Sequence, residues 1–222
     1  MYVVQHCTTY LFMATEEKSL THGGTGRRER KRQQTRDHLA DTAWEMFEAR
    51  GFEAVTMESI GHAADVATGT LYTHFPSKEH LLRHRLHREM ERMLPAVLGV
   101  LAEMPTASER LRGFLAHCTD WSERYRQYLP HYLRHRLQEP SCRGGLEPQD
   151  RSGLDRVFAA FIEEGQRRGE FQPEVDATVL ATHLEFLYLS ALLRWLTGQS
   201  ESLGAEFETV LHLFLNGLSA KS

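Results

Sequence analysis

The chain is poor in cysteine, and its cysteines lack the spacings that cysteine chemistry needs. Cys7, Cys118 and Cys142 stand far apart, with no C-x-x-C pair. Neither a disulfide framework nor a thiolate metal box is encoded, and a reducing, cytoplasmic setting is expected. No apolar run reaches the roughly 18 residues that cross a bilayer, so no membrane partner is expected. The stretch Met1–Met13 is mildly apolar but carries no basic leader and no obvious cleavage site, so it does not read as a signal peptide. Met13 is an alternative start, with residues 1–12 then an extension. There is no alternating strand pattern of useful length, no internal repeat, no phosphate-binding loop and no nucleophile–base spacing. An enzyme or carrier therefore ranks last, and no cofactor is implied.

What remains is an ordinary globular composition, 41% hydrophobic and 25% charged over 222 residues. That length suits one small and one medium domain. The net charge of −4 argues at first against nucleic acid, but its distribution argues otherwise. Arg27, Arg28, Arg30, Lys31, Arg32 and Arg36 face a single acid, Glu29. A phosphate feels local charge, because fields are screened over about 8–10 Å. The alternative for this stretch alone is a solvated basic tail without a partner.

Helical periodicity runs through the chain. Residues 1–26 read as disordered. A first helix spans about Arg28 to Ala49, with Leu39, Ala43, Met46 and Phe47 inward and Gly51 as its stop. Thr56 caps a second helix to Ala63, with Ile60 and Met57 inward. Ala64-Asp65-Val66 turns into a third helix, about Ala67 to His74, whose Val66, Leu71 and Phe75 face the core. Pro76 ends it, and Ser77 opens a fourth helix at Lys78. Beyond Leu94 every strong signal is helical, punctuated by prolines including Pro95, and residues 139–152 read as a flexible loop. Either Asp176 or Glu174 opens a long helix to Thr197, and Leu203 to Leu218 makes the last. The fold class is all-α.

Two short helices joined by a tight turn fit the geometry that places a second helix in a major groove about 12 Å wide. The outward residues of that helix are Thr68, Gly69, Thr70, Tyr72 and Thr73, none charged. Threonine can meet base edges, phosphates or a thymine methyl, and Gly69 allows close approach. Tyr72, His74 and Lys78 are placed for phosphate oxygens, and Thr56 offers a hydroxyl and free amides. Glu58 either accepts from a cytosine amine or complements its helix N-terminus; the second reading is favoured.

From Thr35 to Leu82 the chain resembles the TetR family of bacterial transcription regulators. The resemblance rests on Arg36, Ala43, Phe47, Gly51-Phe52, Thr56, Ile60, Ala64, Val66, Gly69-Thr70-Leu71-Tyr72, His74-Phe75 and Ser77-Lys78-Glu79. The run G-T-L-Y-T-H-F-P-S-K-E is specific; Phe171-x-Pro173-x-Val175-Asp176 is similar only weakly. The family usually has Gly at Asp65, Ala at Gly61, and a Ser or Thr cap at Ala67. The charge run marks a flexible basic arm at residues 1–32, and the resemblance implies a helix-turn-helix domain at 33–93 (the motif itself 56–75) and a ligand-binding and dimerisation domain at 94–222. It further implies a homodimer on a palindromic double-stranded operator, released by a small-molecule effector, with repression more usual than activation. The runner-up is a DNA-binding protein of the same fold with no switch.

The C-terminal half supports a dimer on its own pattern. Ala177 to Leu196 is apolar nearly all round, and the last helix carries Phe207, Val210, Leu211, Phe214, Leu215 and Leu218. Two such helices from each subunit would make a four-helix interface; the alternative is one large monomer core. Trp121, Tyr125, Tyr128, Phe158, Phe161 and Phe186, with Tyr132 and Tyr188, could line a pocket for a hydrophobic or aromatic molecule, or be plain core. His80, His84 and His87 share a helix face, and His131 and His135 are four apart. Such pairs can bind zinc or copper, but Arg83, Arg85 and Arg88 crowd the first set. The histidines read as a solvated, partly basic face, with no metal site assigned. Cys118, on an apolar face, reads as inert packing.

Overall fold

A computed structural model describes residues 25–138 and 153–218. The alternative start Met13, the first part of the expected basic arm and the expected loop at 139–152 lie outside the described residues. Within them the chain forms nine helices: α1 Thr25–Arg50, α2 Met57–Ala63, α3 Thr68–His74, α4 Lys78–Leu101, α5 Ala107–Arg124, α6 Leu129–Gln138, α7 Leu154–Arg167, α8 Ala177–Leu196 and α9 Leu203–Leu218. The fold is all-α, as the periodicity indicates.

Three boundaries differ from those read off the sequence. First, α1 begins at Thr25, so Arg27 to Arg32 are carried on helix turns instead of a flexible arm. Arg, Glu, Lys and Gln are good helix formers, and nothing after Gly26 breaks the run. Second, α4 passes through Pro95 to Leu101. Proline forfeits one amide hydrogen bond, but Pro95 and Ala96 are exposed while Leu98 and Leu101 are buried, so packing carries the helix past it. Third, α6 groups with the N-terminal helices although α5 precedes it. The described residues divide into two compact units, 25–92 with 127–138, and 93–126 with 153–218.

In the first unit Leu39, Ala40, Ala43 and Phe47 of α1 are buried with Ile60, Leu71, Phe75, Leu81 and Leu82. Phe47 and Phe52 stand 4.8 Å apart, and Trp44 meets Tyr128 at 4.5 Å, which seats the start of α6 on α1. The histidines of α4 are not a solvated face. His84 Nε2 pairs with Asp37 at 2.8 Å, His80 Nδ1 meets His135 Nε2 at 3.2 Å, and buried His87 shares a 2.9 Å hydrogen bond with the Tyr132 hydroxyl. Periodicity marks a shared face; it does not say that α1 and α6 cover it. Among the described residues no group of three His, Cys, Asp or Glu side chains could hold a metal ion.

In the second unit α7 packs on α8, α8 on α9, and α5 on both α7 and α9. Thr106 and Glu109 form a capping box at the head of α5, and Asp176, not Glu174, caps α8 by accepting from the Thr178 amide at 2.8 Å. Phe158, Phe161, Ile162, Leu184 and Phe207 are buried, with the Tyr188 and Phe207 rings stacked at 4.9 Å. By length and composition α8 could cross a membrane; here it packs against α7 and α9 and leaves Val179, Phe186 and Leu193 exposed. Burial and a hydrogen bond with Tyr188 surround the Cys118 thiol, and burial pushes its pKa up to about 12, so it is inert at neutral pH.

Burial, with the positive charges of Arg83 and Arg136 and the neighbouring His84, pushes the His87 pKa down to about 3. The unfolded chain accepts this proton below about pH 6.5 and the folded chain does not, so stability is full above that pH and declines toward pH 3. Chemical denaturation should show about 2 kcal/mol from this group between pH 7.5 and 5. His87→Gln, which cannot titrate, should flatten that slope; an unchanged slope would remove His87 as its source.

Candidate nucleic-acid interface

The brace helix α2 is fixed by its own sequence. Thr56 Oγ1 accepts from the Ser59 amide at 3.2 Å, and Ser59 Oγ accepts from the Thr56 amide at 3.1 Å, a reciprocal cap. Met57 and Ile60 are buried beneath it. After Ala64 the chain turns at Asp65, whose φ of 54° is the one positive value at a non-glycine residue among those described. Aspartate tolerates this left-handed region better than most residues. The Val66 amide then donates to the Gly61 carbonyl at 2.9 Å. A Cβ on Gly61 would sit 3.2 Å from the Val66 carbonyl oxygen and 3.6 Å from Leu71, so the glycine sets how closely α2 and α3 cross.

Ala67 stands at the N-cap of α3 and supplies no side-chain bond, and Thr68 does not take over that role. Leu71 and Phe75 are fully buried while Val66 is half-buried. The opposite face is open: Thr68, Gly69, Thr70, Tyr72 and Thr73 are all exposed, Tyr72 by 44%. A Cβ on Gly69 would meet nothing within 4 Å, so the fold itself does not demand glycine there. Thr73 Oγ1 donates back to the Gly69 carbonyl at 2.9 Å. The Tyr72 hydroxyl donates to Glu58 Oε1 at 3.3 Å, linking α3 to α2 at the outer surface. The Glu58 carboxyl is held below its usual range by its own backbone amide, then by Thr56 and Tyr72. Desolvation, then the Glu58 charge, keeps the Tyr72 phenol protonated.

The far end of α3 is clamped from behind. Arg36 Nη1 donates to the His74 carbonyl at 2.9 Å, and its guanidinium lies 4.4 Å over the Phe75 ring. A cation thus satisfies a helix C-terminal carbonyl. His74 is half-buried; burial, then Arg36 and Arg32, lowers its pKa and favours the neutral ring. Lys78, read as a phosphate ligand, directs its ammonium to the Phe52 carbonyl at 2.9 Å and the Val55 carbonyl at 3.4 Å, and over the Phe52 ring at 4.5 Å. It ties the head of α4 to the segment that presents Thr56. Arg85 and Arg88 of α4 reach Asp41, and Arg88 also reaches Asp37, at 3.0–3.4 Å, fixing α4 along α1. Sequence reasoning missed this network; the acidic pair Asp37 and Asp41, four apart on α1, was its only signal.

The expected pocket residues do not all come together. Phe158 and Phe161 gather around Phe114 at 5.8 and 5.9 Å, and Trp121 stands 4.9 Å from Tyr125. Phe186 is 62% exposed, because Leu184 and Tyr188, each two residues away, take the buried side of α8. Tyr128 belongs to the first unit, against Trp44. Ser122 Oγ and Trp121 Nε1 are buried without a hydrogen-bond partner.

Ala67→Ser should supply the missing cap and stabilise the protein by about 1 kcal/mol. Asp65→Gly should relieve the left-handed backbone and gain roughly 0.5–1 kcal/mol. Urea denaturation of both variants checks this, and loss of stability in either would contradict the turn geometry.

Residues 39–84 match the family model for bacterial regulatory proteins, tetR family. The chain is 30% identical to the mycofactocin biosynthesis transcriptional regulator MftR of Mycobacterium tuberculosis over 82% of its length and 91% of that protein's. It is 29% identical to the HTH-type transcriptional repressor KstR of Rhodococcus jostii over 75% of each chain. Its fold matches the Thermus thermophilus FadR repressor, crystallised with lauroyl-CoA, at a TM-score of 0.74, 24% identity and coverage of 84% and 96%. The chain belongs to the tetR family of bacterial regulatory proteins and is a DNA-binding transcriptional regulator, not an enzyme.

Proposed function

We propose that the protein is a cytoplasmic repressor that grips a palindromic operator as a homodimer and releases it when a small hydrophobic or aromatic molecule enters its C-terminal unit. The observation that carries the DNA part is the open, uncharged face of α3, braced by α2 and clamped by Arg36. Thr68, Gly69, Thr70, Tyr72 and Thr73 enter the major groove. Thr56, His74 and the basic turns of α1 meet phosphates. Lys78 serves the same interface from behind, by holding the segment that carries Thr56.

A homodimer is supported by what α8 leaves uncovered. Val179, Phe186 and Leu193 recur every seven residues and are 46%, 62% and 39% exposed, and Leu213 of α9 is 61% exposed. Each such side chain gains roughly 1.5–3 kcal/mol on full burial, and a two-fold axis lets one stripe bury its copy. Such a dimer holds two reading heads about 34–36 Å apart, one helical turn of DNA. The ligand reading draws on the aromatic interior around Phe114, Phe158 and Phe161, with Trp121 Nε1 and Ser122 Oγ to receive an oxygen-bearing molecule. It also draws on the acyl-CoA bound by the Thermus relative. The ligand must prefer the DNA-free state for release to occur.

Gel shift against the DNA upstream of the gene, with a panel of aromatic and acyl compounds, tests this. Specific binding reversed by one compound is the expected result. Specific binding that no compound reverses would remove the switch, and no specific binding at low salt would remove the function. Tyr72→Ala should weaken operator affinity about tenfold or more without lowering the melting temperature. A change within twofold would show that the docking face is wrong.

A further inference from the structure

We propose that Glu58 and Tyr72 act as one base-reading unit: Glu58 accepts from the exocyclic amine of a cytosine in the major groove, and the Tyr72 hydroxyl aims its carboxylate. This rests on the operator-binding reading above. Glu58 sits in the first turn of α2, exposed, and Tyr72 reaches it from α3 across the outer surface. The two side chains therefore close the gap between the brace helix and the reading helix on the side that faces DNA.

The sign of the charge makes the choice of base. Duplex DNA presents about one phosphate charge per 1.7 Å of axis, and an ionised carboxylate brought against it is repelled unless it finds a donor. Only cytosine and adenine carry an amine on the major-groove edge. Adenine sets its N7 acceptor beside that amine, and guanine and thymine present acceptors where the carboxylate needs a donor. Cytosine alone among the four bases offers an amine with no acceptor of its own on that edge. The carboxylate stays ionised at neutral pH, since backbone and Thr56 hydrogen bonds favour its charged form. The Tyr72 hydroxyl donates to Glu58 at 3.3 Å, which places this phenol to orient the acid while its ring remains exposed. The alternative role, in which Glu58 only complements the α2 N-terminus, gives it no effect on base choice.

Selection from a randomised operator library, using the full-length protein and its Glu58→Ala, Glu58→Gln and Tyr72→Phe variants, tests the assignment. The wild type should select cytosine at one position of each half-site by about tenfold or more over other bases. Glu58→Ala should lose that preference and leave every other position unchanged. Glu58→Gln should move it toward adenine, whose N6 and N7 match an amide. Tyr72→Phe should keep cytosine but reduce the preference severalfold. Melting curves matching the wild type exclude unfolding, since both side chains are exposed. A Glu58→Ala motif identical to the wild type, with affinity raised or lowered uniformly, overturns the proposal and leaves operator binding intact. A wild type that enriches no sequence overturns the operator reading itself.

Discussion

A helix of seven residues cannot hold itself in water, because the cost of nucleation is not recovered over so few hydrogen bonds. The rest of this structure depends on how α3 is held. Leu71 and Phe75 anchor it inward, and Arg36 ties its last carbonyl to α1. Asp65 sets its angle to α2 by accepting a left-handed backbone. The first turn is left uncapped at Ala67. The helix is therefore fixed by its C-terminal half and by its neighbour, while its outer face stays free of structural duty. Gly69 illustrates this, since nothing inside the protein requires it.

The same logic extends outward. Lys78 binds the head of α4 to the segment before α2, and the Asp37, Asp41, Arg85, Arg88 and His84 contacts bind α4 along α1. Through His87 with Tyr132, and His80 with His135, α6 joins that assembly. The helices behind α3 are thus joined to one another by polar contacts as well as by apolar packing. The helix α4 contributes residues to both compact units.

Much of this was legible in the sequence, where local chemistry decides. The Thr56 cap and the inward Ile60, Leu71 and Phe75 follow from residue type and spacing, and the structure has each; at the head of α8 the sequence leaves Asp176 and Glu174 open, and the structure has Asp176. The outward threonines and Tyr72 follow from the same period. What was hidden depends on partners distant in sequence. Nothing at His87 announces Tyr132, and nothing at Lys78 announces the Phe52 carbonyl. Pro95 reads as a stop because sequence gives its local penalty and not the burial of Leu98 and Leu101 beyond it. Phe186 reads as a pocket aromatic because an all-apolar helix does not declare which side its own subunit covers.

The central claim is that α3 lies in the major groove of two half-sites at once. Methylation interference on the operator fragment measures this most directly, because dimethyl sulfate marks guanine N7 in the major groove and adenine N3 in the minor groove. Interference at guanine N7 in two patches on one face of the duplex, separated by about one helical turn or a whole multiple of it, is the result the proposed function predicts. Interference confined to adenine N3, or to a single patch, would contradict it.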